Sequence, residues 1–427
     1  MGLNDTAWEQ LFGKYHILNE IERTGSFIIS SNQIKEFREP RLMTKFDHRV
    51  NLPQIFAENQ LAILPITRGD YIISRFLAYH DFTPPTNAAQ FVRIPTYLQS
   101  LAPQYLVSEA IALNCANACG ILSDFLEDDD LRPTVSGRMS SGEFNFHIKA
   151  GAIEQTVAVN NAQIEIDAAY EGVNYLSVFE AKRDIADDFL VRQIYYPFRV
   201  WSDRITKTVK PVFLIFSNGT FYLYQYEFSD PLCYNSLQLV KQKNYVLSSE
   251  ITLTNIEELL RNTALRPEPE IAFPQANNMA RVVNLIELLA ERPLTKPEIT
   301  AEYAFDVRQT DYYADAGCYL GFVERMRIRE DGEFATLFSL TPSGHAIMKL
   351  GLRERQLAIA KAVLEHRVFN ETLKAHLHCG EMPDAATIVQ IMRKSNLYRV
   401  EAESTFYRRS STVIGWVNWI LGLIEGD

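Results

Sequence analysis

Cysteine is scarce in this sequence, and the spacings used by cysteine-based metal sites are missing. Only 5 of the 427 residues are cysteine, and no Cys-x-x-Cys pair occurs among them. Cys115 and Cys119 lie four residues apart in an apolar helical pattern, which favours buried reduced thiols over a disulfide or a zinc site. The scarcity argues against a disulfide-stapled secreted fold and against a cysteine-ligated zinc module.

Long apolar runs and a surplus of positive charge are also missing. No apolar run reaches the length of a membrane span, and the first residues have neither the basic start nor the apolar stretch of a signal peptide. The sequence therefore predicts a cytoplasmic location and no membrane partner. With 53 acidic and 42 basic residues the net charge is −11, so contact with nucleic acid must come from local basic patches. The Gly-x-x-x-x-Gly-Lys loop that cradles ATP phosphates is absent as well.

The most informative pattern lies between residues 162 and 201. In its first part apolar residues alternate with acidic ones, Asp167 among them, and this period of two predicts a β-strand. A second segment of the same kind places Glu180 and Lys182 on one face. A turn at residues 172–174 predicts that the two strands form a hairpin, which would bring Asp167 close to Glu180 and Lys182.

Two carboxylates and an ammonium at one strand end suit a metal-assisted reaction. Asp167 and Glu180, with the carbonyl oxygen of Ala181, offer the oxygen ligands that Mg²⁺ prefers. Lys182 would orient or acidify the attacking water, and the ion would stabilise the charge that develops when a phosphodiester is hydrolysed. An acid-x-Lys triplet alone is a weak signal, and a surface cross-strand pair of Glu180 with Lys182 stays an open alternative.

A family resemblance rests on these residues. Asp167, followed after 12 residues by Glu180-Ala181-Lys182 and then by a predicted helix over residues 187–201 with Gln193, resembles the PD-(D/E)XK nuclease superfamily, and within it the type II restriction endonucleases. The flanking segments GRMSSGEFNFHI, RQIYYPFRVW and KPVFLIFSNGTFYLYQYEF extend the resemblance over about residues 105–250. Ile166 stands where the family's name has proline.

The resemblance implies a restriction-endonuclease-like core, a mixed sheet flanked by helices. It also implies that Asp167, Glu180 and Lys182 are catalytic with Gln193 in support, and that Asp167, Glu180 and Ala181 bind Mg²⁺. Many members carry an extra acid on the helix before the first strand. Glu109 is the lone acid in the apolar part of a helix predicted there, so it is a possible additional acid, with a plain surface residue as the alternative.

The whole chain is predicted to be a mixed, α+β protein of several domains. Its 427 residues, 47% of them hydrophobic, suffice for several packed cores. The predicted parts are an N-terminal α/β, helix-turn-helix-like DNA-binding module (1–100), the nuclease domain (101–263), a proline-rich linker (264–278), a winged-helix domain (279–350) and a C-terminal helical domain (351–427).

Two polar segments flank the predicted nuclease strands. Residues 127–130 are a run of four acids, which predicts a solvated loop. Residues 137–142 are small, polar and partly basic because of Arg138, and they predict either a loop that contacts a DNA phosphate or a simple hairpin turn.

Candidate DNA-contacting residues are spread over several of these parts: Arg41, Lys45, Arg138, Arg308, Gln309, Tyr312, Arg408 and Arg409. Three predicted helices, the third over residues 307–319, are followed by two strands and a further helix, the order of a winged helix. Arg308 and Gln309 begin the third helix, where such side chains suit guanine and adenine edges. Arg408 and Arg409 lie in a polar helix start suited to phosphate. The alternatives left open are a solvated basic loop in the N-terminal module, a winged helix that mediates a dimer, and arginines in surface salt bridges.

The leading hypothesis is a type II restriction endonuclease, an enzyme that hydrolyses double-stranded DNA at a short specific sequence with Mg²⁺. The alternatives are a structure-selective or repair nuclease of the same fold and a non-catalytic winged-helix DNA-binding regulator. A double-strand cut needs two active sites or two visits of one, so a homodimer is expected. The chain carries no methyltransferase motif, so a separate DNA methyltransferase would have to protect the host.

Overall fold

The chain forms two compact units, each built from separate stretches of sequence. The computed structural model describes residues 2–85, 88–103, 106–302, 307–330 and 333–425. Unit 1 comprises Met1–Gln90, Ser108–Phe216 and Phe221–Tyr245, and unit 2 comprises Phe91–Val107, Ser217–Thr220 and Val246–Asp427. The first 90 residues therefore belong to the same unit as the predicted nuclease domain, and no unit boundary falls at the predicted linker.

The N-terminal part of unit 1 is a small α/β arrangement. Its elements are α1 (Leu3–Tyr15), α2 (Ile17–Thr24), β1 (Phe27–Ser30), α3 (Ser31–Lys35), α4 (Pro40–Met43), α5 (Gln54–Glu58), β2 (Ala62–Pro65), β3 (Asp70–Ser74) and β4 (Tyr79–Asp81). Strands β2 and β3 pair as an antiparallel hairpin. In the module predicted to resemble a helix-turn-helix, α3 has only five residues and α4 only four. Both helices are shorter than a helix that reads a major groove.

The central part follows after β5 (Gln90–Val92), a short strand at the junction of the two units. Its elements are α6 (Glu109–Ala118), α7 (Ile121–Leu126), β6 (Arg132–Ser140), β7 (Glu143–Ala150), β8 (Ile153–Asn160), β9 (Gln163–Glu171), β10 (Tyr175–Lys182), β11 (Asp188–Leu190), α8 (Arg192–Ser202), β12 (Thr208–Ser217), β13 (Thr220–Phe228) and β14 (Leu237–Leu247). The helix expected from residue 187 begins only at Arg192, because Asp188–Leu190 pair with β4 instead.

A mixed sheet dominates unit 1. Six of its strands are ordered β14-β13-β12-β10-β9-β6. Strand β10 pairs antiparallel with β9 and parallel with β12, and α6 and α8 both pack against β9 and β10. The predicted hairpin and the mixed sheet flanked by helices are confirmed. Because β10 is central, its residues 176–181 are all buried, so Glu180 lies inside the protein and not in a surface ion pair.

The predicted polar loop at 137–142 is wrong for residues 137–140, because β6 continues to Ser140. Gly137 and Arg138 continue β6, where they pair with β9 through an irregular register. Gly137 has a φ of +92°, a left-handed conformation that glycine adopts without strain and that suits a bulged strand. Arg138 Nε donates to Glu165 Oε2 across the two strands at 3.3 Å, and both side chains are exposed.

The acidic run at 127–130 also differs from its prediction, because Asp128 is buried. Its carboxylate accepts hydrogen bonds from the main-chain N–H groups of Asn174 (3.1 Å) and Tyr175 (3.0 Å) and from the Asn174 amide (2.9 Å). A Cβ at Gly172 would lie 2.3 Å from Asp128 Oδ2, so a side chain at this position would displace the Asp128 carboxylate. Asp128 therefore fixes the turn between β9 and β10 from outside the hairpin.

We expect Asp128→Ala to lower the free energy of unfolding by about 1–3 kcal/mol, because three N–H donors of Asn174 and Tyr175 would lose their charged acceptor. Urea unfolding followed by circular dichroism measures this. Asp129→Ala is the matched control, since its side chain is exposed in the same run. Equal losses in the two variants would contradict the anchoring role of Asp128.

Unit 2 is mainly helical. Its further elements are α9 (Leu253–Asn262), α10 (Met279–Glu291), β15 (Leu294–Thr295), α11 (Lys296–Glu302), α12 (Val307–Tyr319), β16 (Val323–Glu330), β17 (Glu333–Leu340), α13 (Pro342–Met348), α14 (Leu352–Leu364), α15 (Arg367–Cys379), α16 (Ala385–Arg393) and α17 (Glu403–Leu421). The strands are ordered β15-β17-β16. Three helices followed by a hairpin and another helix match the predicted order, and α12 has the bounds expected from the sequence.

The predicted proline-rich linker packs into unit 2. Its residues have no regular secondary structure, but Phe273 and Ala276 are each only 1% exposed. Trp416 Nε1 donates to the Ala276 carbonyl at 2.7 Å, and Thr412 Oγ1 donates to the Pro274 carbonyl at 3.2 Å. The segment is therefore part of a core, and the prolines shape its path.

Among the described residues no helix is both long and apolar enough to cross a membrane.

Candidate active site

The predicted triad converges where β9 and β10 run side by side. Asp167 lies within β9, and Glu180 and Lys182 end β10. Lys182 Nζ donates to Glu180 Oε1 at 2.5 Å, and the main-chain N–H of Ala181 donates to Asp167 Oδ2 at 2.8 Å. The hairpin therefore places two carboxylates and one ammonium together, as the sequence indicated.

Gln193 joins this group from helix α8. Its Nε2 donates to Glu180 Oε1 at 2.8 Å, so one oxygen of Glu180 accepts from both Lys182 and Gln193. Gln193 is 8% exposed, and its Oε1 has no hydrogen-bond partner among the described residues. A buried amide oxygen without a donor is costly, and a water molecule or a hydrated cation would satisfy it.

Burial and neighbouring charged groups shift the pKa values of the residues in the site. Burial raises the pKa of Glu180 to about 8 against the opposing charge of Lys182, and burial also raises the pKa of Asp167. For Lys182, burial lowers the pKa, but the carboxylates of Glu180, Asp47 and Glu109 outweigh it and hold the pKa well above its ordinary value. Lys182 is therefore held as an ammonium among carboxyl groups whose own pKa values burial raises.

Glu109 belongs to the same electrostatic group. It is the first residue of α6. Burial is the main cause that raises its pKa, opposed by Lys182 and assisted by Asp167. Asp167, which is partly exposed, also lines a cavity of about 270 Å³ with residues of α6 and β6. Glu109, the additional acid suggested by the sequence, therefore lies beside the triad.

The donor set suits Mg²⁺ bound largely through water. Among the described residues no group of three or more His, Cys, Asp or Glu side chains is arranged to hold a metal ion. Asp167, Glu180 and the Ala181 carbonyl remain as the available oxygens. Mg²⁺ commonly uses one or two carboxylates and keeps several waters, and the acids of the site, with one ammonium among them, favour a further cation. The residues therefore fit the ion without forming a complete cage.

The sequence reasoning missed a second buried charge cluster beside the triad. His48 is 3% exposed. Its Nδ1 donates to the Asp188 carbonyl at 2.5 Å, and its Nε2 lies 3.5 Å from Asp184 Oδ2. Burial lowers the pKa of His48, but Asp184 and Asp188 outweigh it and raise that pKa to about 10. The available signal was the run of acids directly after Lys182, at residues 184, 187 and 188.

The candidate DNA-contacting residues of unit 2 divide by burial. In α12, Tyr312 is 37% exposed, and the Oε1 of Gln309 is buried without a partner among the described residues; the side chain of Arg308 lies outside the described residues. In α17, Arg408 is exposed and Arg409 is buried. Burial, with help from Arg408, lowers the pKa of Arg409 to about 10, so Arg408 is the better placed of the two to meet a phosphate.

The candidates of unit 1 lie in different surroundings. Arg41 is exposed in α4. Lys45 is exposed, with its Nζ 3.7 Å from Asp47 Oδ2, and its charge lowers the pKa of Glu109. Arg138 is exposed on β6, paired with Glu165. Lys45 is therefore the basic residue of this set that lies near the triad.

Three family models match successive parts of the chain, and each is described only as a domain of unknown function. They are DUF6996 over residues 5–73, DUF6997 over residues 74–246 and DUF7226 over residues 281–425. No curated protein and no solved structure matches the chain. The chain is therefore similar to three uncharacterised domains in series, and the triad falls within the second of them.

Proposed function

We propose that this protein is a Mg²⁺-dependent type II restriction endonuclease of the PD-(D/E)XK superfamily, which hydrolyses phosphodiester bonds of double-stranded DNA at a short specific sequence. The convergence of Asp167, Glu180, Lys182 and Gln193 at the end of a hairpin in a mixed sheet carries this proposal. A decayed, non-catalytic regulator would have no reason to keep a buried ammonium between carboxylates. The cost of burying such groups favours a functional use.

Each residue of the site has its own proposed role in the hydrolysis. Asp167, Glu180 and the Ala181 carbonyl would hold Mg²⁺, which supplies charge stabilisation at the phosphate and lowers the pKa of a bound water. Lys182, an ammonium held by Glu180, is placed to orient the attacking water and to stabilise negative charge on a phosphate oxygen. Gln193 fixes the rotamer of Glu180 through its amide N–H, and its free Oε1 can accept a hydrogen bond from water. Glu109, at the start of α6, adds a further carboxyl group beside the triad.

Recognition of DNA is proposed for unit 2 and for the basic residues around the site. Helix α12 is the proposed recognition helix of a winged-helix domain, with Arg308, Gln309 and Tyr312 toward the bases. Arg408 would contact a phosphate, as would Lys45 near the triad. A homodimer would supply the second active site for a double-strand cut. The proposal also requires a separate DNA methyltransferase to protect the host.

The decisive experiment is digestion of plasmid DNA with the purified protein. We expect fragments with fixed ends in Mg²⁺ and no cutting in EDTA. In Ca²⁺ we expect specific binding in a gel-shift assay without cleavage, because Ca²⁺ accepts the same oxygen ligands with looser geometry. Fixed ends separate a restriction enzyme from a structure-selective or repair nuclease, which would cut at junctions or lesions.

The controls for this experiment identify the active site. Protein carrying Glu180→Gln, purified in parallel, excludes a contaminating nuclease if the digestion disappears. Rapid cutting in Ca²⁺ with Mg²⁺ removed would contradict the proposed ligand set. Binding to DNA with no cutting of any plasmid or genomic substrate would favour the regulator.

A further inference from the structure

One face of the β16–β17 hairpin in unit 2 is basic. Three exposed arginines alternate along β16: Arg325, Arg327 and Arg329. Alternate residues of a strand share one face, and the antiparallel partners in β17 lie on that face as well: in the same order, they are Phe338, Thr336 and Phe334. None of the described residues on this face is acidic, although the net charge of the chain is −11. The hairpin is therefore a local basic patch, the feature that an acidic protein needs to meet DNA.

Arg327 packs on an exposed aromatic ring within this face. Its Cζ lies 3.9 Å from the centre of the Phe334 ring, and Phe334 is 66% exposed. The contact runs diagonally across the two strands, because the direct partner of Phe334 is Arg329. A guanidinium that stacks on a ring is held in place while its N–H groups remain available to an anion.

The basic face adjoins helix α12. Arg325, near the start of β16, donates a hydrogen bond to Asp315 of α12, which ties the hairpin to this helix. Tyr312 precedes Asp315 by three residues and is 37% exposed. The two lie on the same side of α12, because residues three apart are neighbours on a helix. The arginines farther along β16 therefore extend a surface that begins at the proposed recognition helix.

We propose that Arg327, Arg329 and Phe334 bind the sugar-phosphate backbone of double-stranded DNA, beside the bases that α12 would read. The inference rests on the proposed function and deepens it, because it adds the hairpin to the DNA-contacting surface of unit 2. Alternate residues of a strand are about 6.4–6.8 Å apart, which is close to the separation of successive phosphates along one DNA strand. Two guanidinium groups at this spacing can meet neighbouring phosphates while the ring packs against the deoxyribose between them. Such contacts supply affinity and register without sequence information.

The test measures binding of the full chain to a fluorescently labelled duplex of random sequence, by anisotropy in EDTA so that no cleavage occurs. The double variant Arg327→Gln, Arg329→Gln should bind about tenfold more weakly at about 50 mM salt. The slope of log Kd against log salt concentration should fall by about 2, because two phosphate contacts no longer release counterions. Lysine at both positions keeps the charge and should retain the wild-type slope. Phe334→Ala should weaken binding and leave the slope unchanged, because it removes apolar contact and no charge.

The matched control removes two other exposed arginines of unit 2. Arg261 lies in the last turn of α9, and Arg399 is also beside a ring, with its Cζ 5.1 Å from the centre of the Tyr398 ring. The double variant Arg261→Gln, Arg399→Gln removes the same charge and should bind DNA as the wild type does. Equal weakening in this control, or an unchanged slope in the hairpin variant, would overturn the inference. Thermal unfolding of each variant checks that the fold persists.

Two further comparisons separate the hairpin from the proposed function. If the wild type binds DNA without cutting it in Mg²⁺, the nuclease proposal fails, and the salt slope of the hairpin variant still decides the inference. If Gln309→Ala weakens binding while the hairpin variant does not, recognition by α12 stands and only the role of the hairpin fails. A wild type that binds no duplex DNA would overturn both.

Discussion

Replacing any member of the triad should abolish DNA cleavage while the protein stays folded. For Asp167→Ala, Glu180→Ala or Lys182→Ala we expect losses on the order of a thousandfold or more. The first two would remove proposed metal ligands, and the third would remove the ammonium proposed to stabilise charge on the phosphate. The losses should be far from additive in double variants, because the three side chains serve one chemical step. Single-turnover cleavage of a defined duplex in Mg²⁺ measures them.

The control for the triad variants lies on the same strand. Glu165 precedes Asp167 by two residues in β9 and is exposed, with its carboxylate paired to Arg138, so Glu165→Ala should cut DNA as the wild type does. Thermal unfolding of each variant checks that the fold persists. If Lys182→Ala cleaves DNA as the wild type does, the proposed nuclease active site is wrong, whatever the effect of the carboxylate variants.

The buried His48 cluster should make the stability of the protein depend on pH. Its pKa of about 10 exceeds the ordinary value of 6.5, so the stabilisation it provides is complete below pH 6.5 and is lost as the pH rises through 10. At pH 6 we expect His48→Gln to lower the free energy of unfolding by about 3–5 kcal/mol, because two buried aspartates lose their counter-charge. The difference between the wild type and the variant should shrink by up to about 1.4 kcal/mol per pH unit in this window.

Urea unfolding at several pH values between 6 and 10 gives this difference. The comparison with the variant is needed, because Glu180 also titrates in the same range. His147→Gln provides the reference, since His147 is exposed on β7 and contacts only Thr156 among the hydrogen bonds of its side chain. Parallel stability curves for the wild type and His48→Gln would show that His48 is not held as a cation between Asp184 and Asp188.

Local sequence patterns were sufficient for the elements that carry the triad. The alternation around Asp167 and the turn at 172–174 predicted the hairpin, and the helical period after the predicted linker predicted α12 with the bounds it has. Such features depend on neighbours a few residues away, through side-chain period, turn chemistry and capping. The placement of Asp167, Glu180, Lys182 and Gln193 followed from them together with the family resemblance.

The features that the sequence analysis did not predict depend on contacts between residues far apart in the sequence. Asp128 binds a turn 46 residues further along, and His48 binds Asp188 at a separation of 140 residues. The acidic run that contains Asp128 and the basic segment that contains His48 each look solvated when considered alone. Neither segment contains the distant residues that bury these side chains. The packing of Phe273 in the predicted linker was hidden for the same reason, since the prolines signal an irregular backbone but not its burial.

The interleaved arrangement of the two units also constrains how the chain folds during synthesis. Unit 2 uses residues 91–107 and 217–220 as well as everything after Val246, so parts of it leave the ribosome before unit 1 is complete. Domains made of one continuous stretch fold in order of synthesis, whereas here the early segments of unit 2 must wait for residues 246–427. A polypeptide that stops near residue 263 would expose apolar side chains meant for a core not yet made, and we expect it to aggregate or to be degraded.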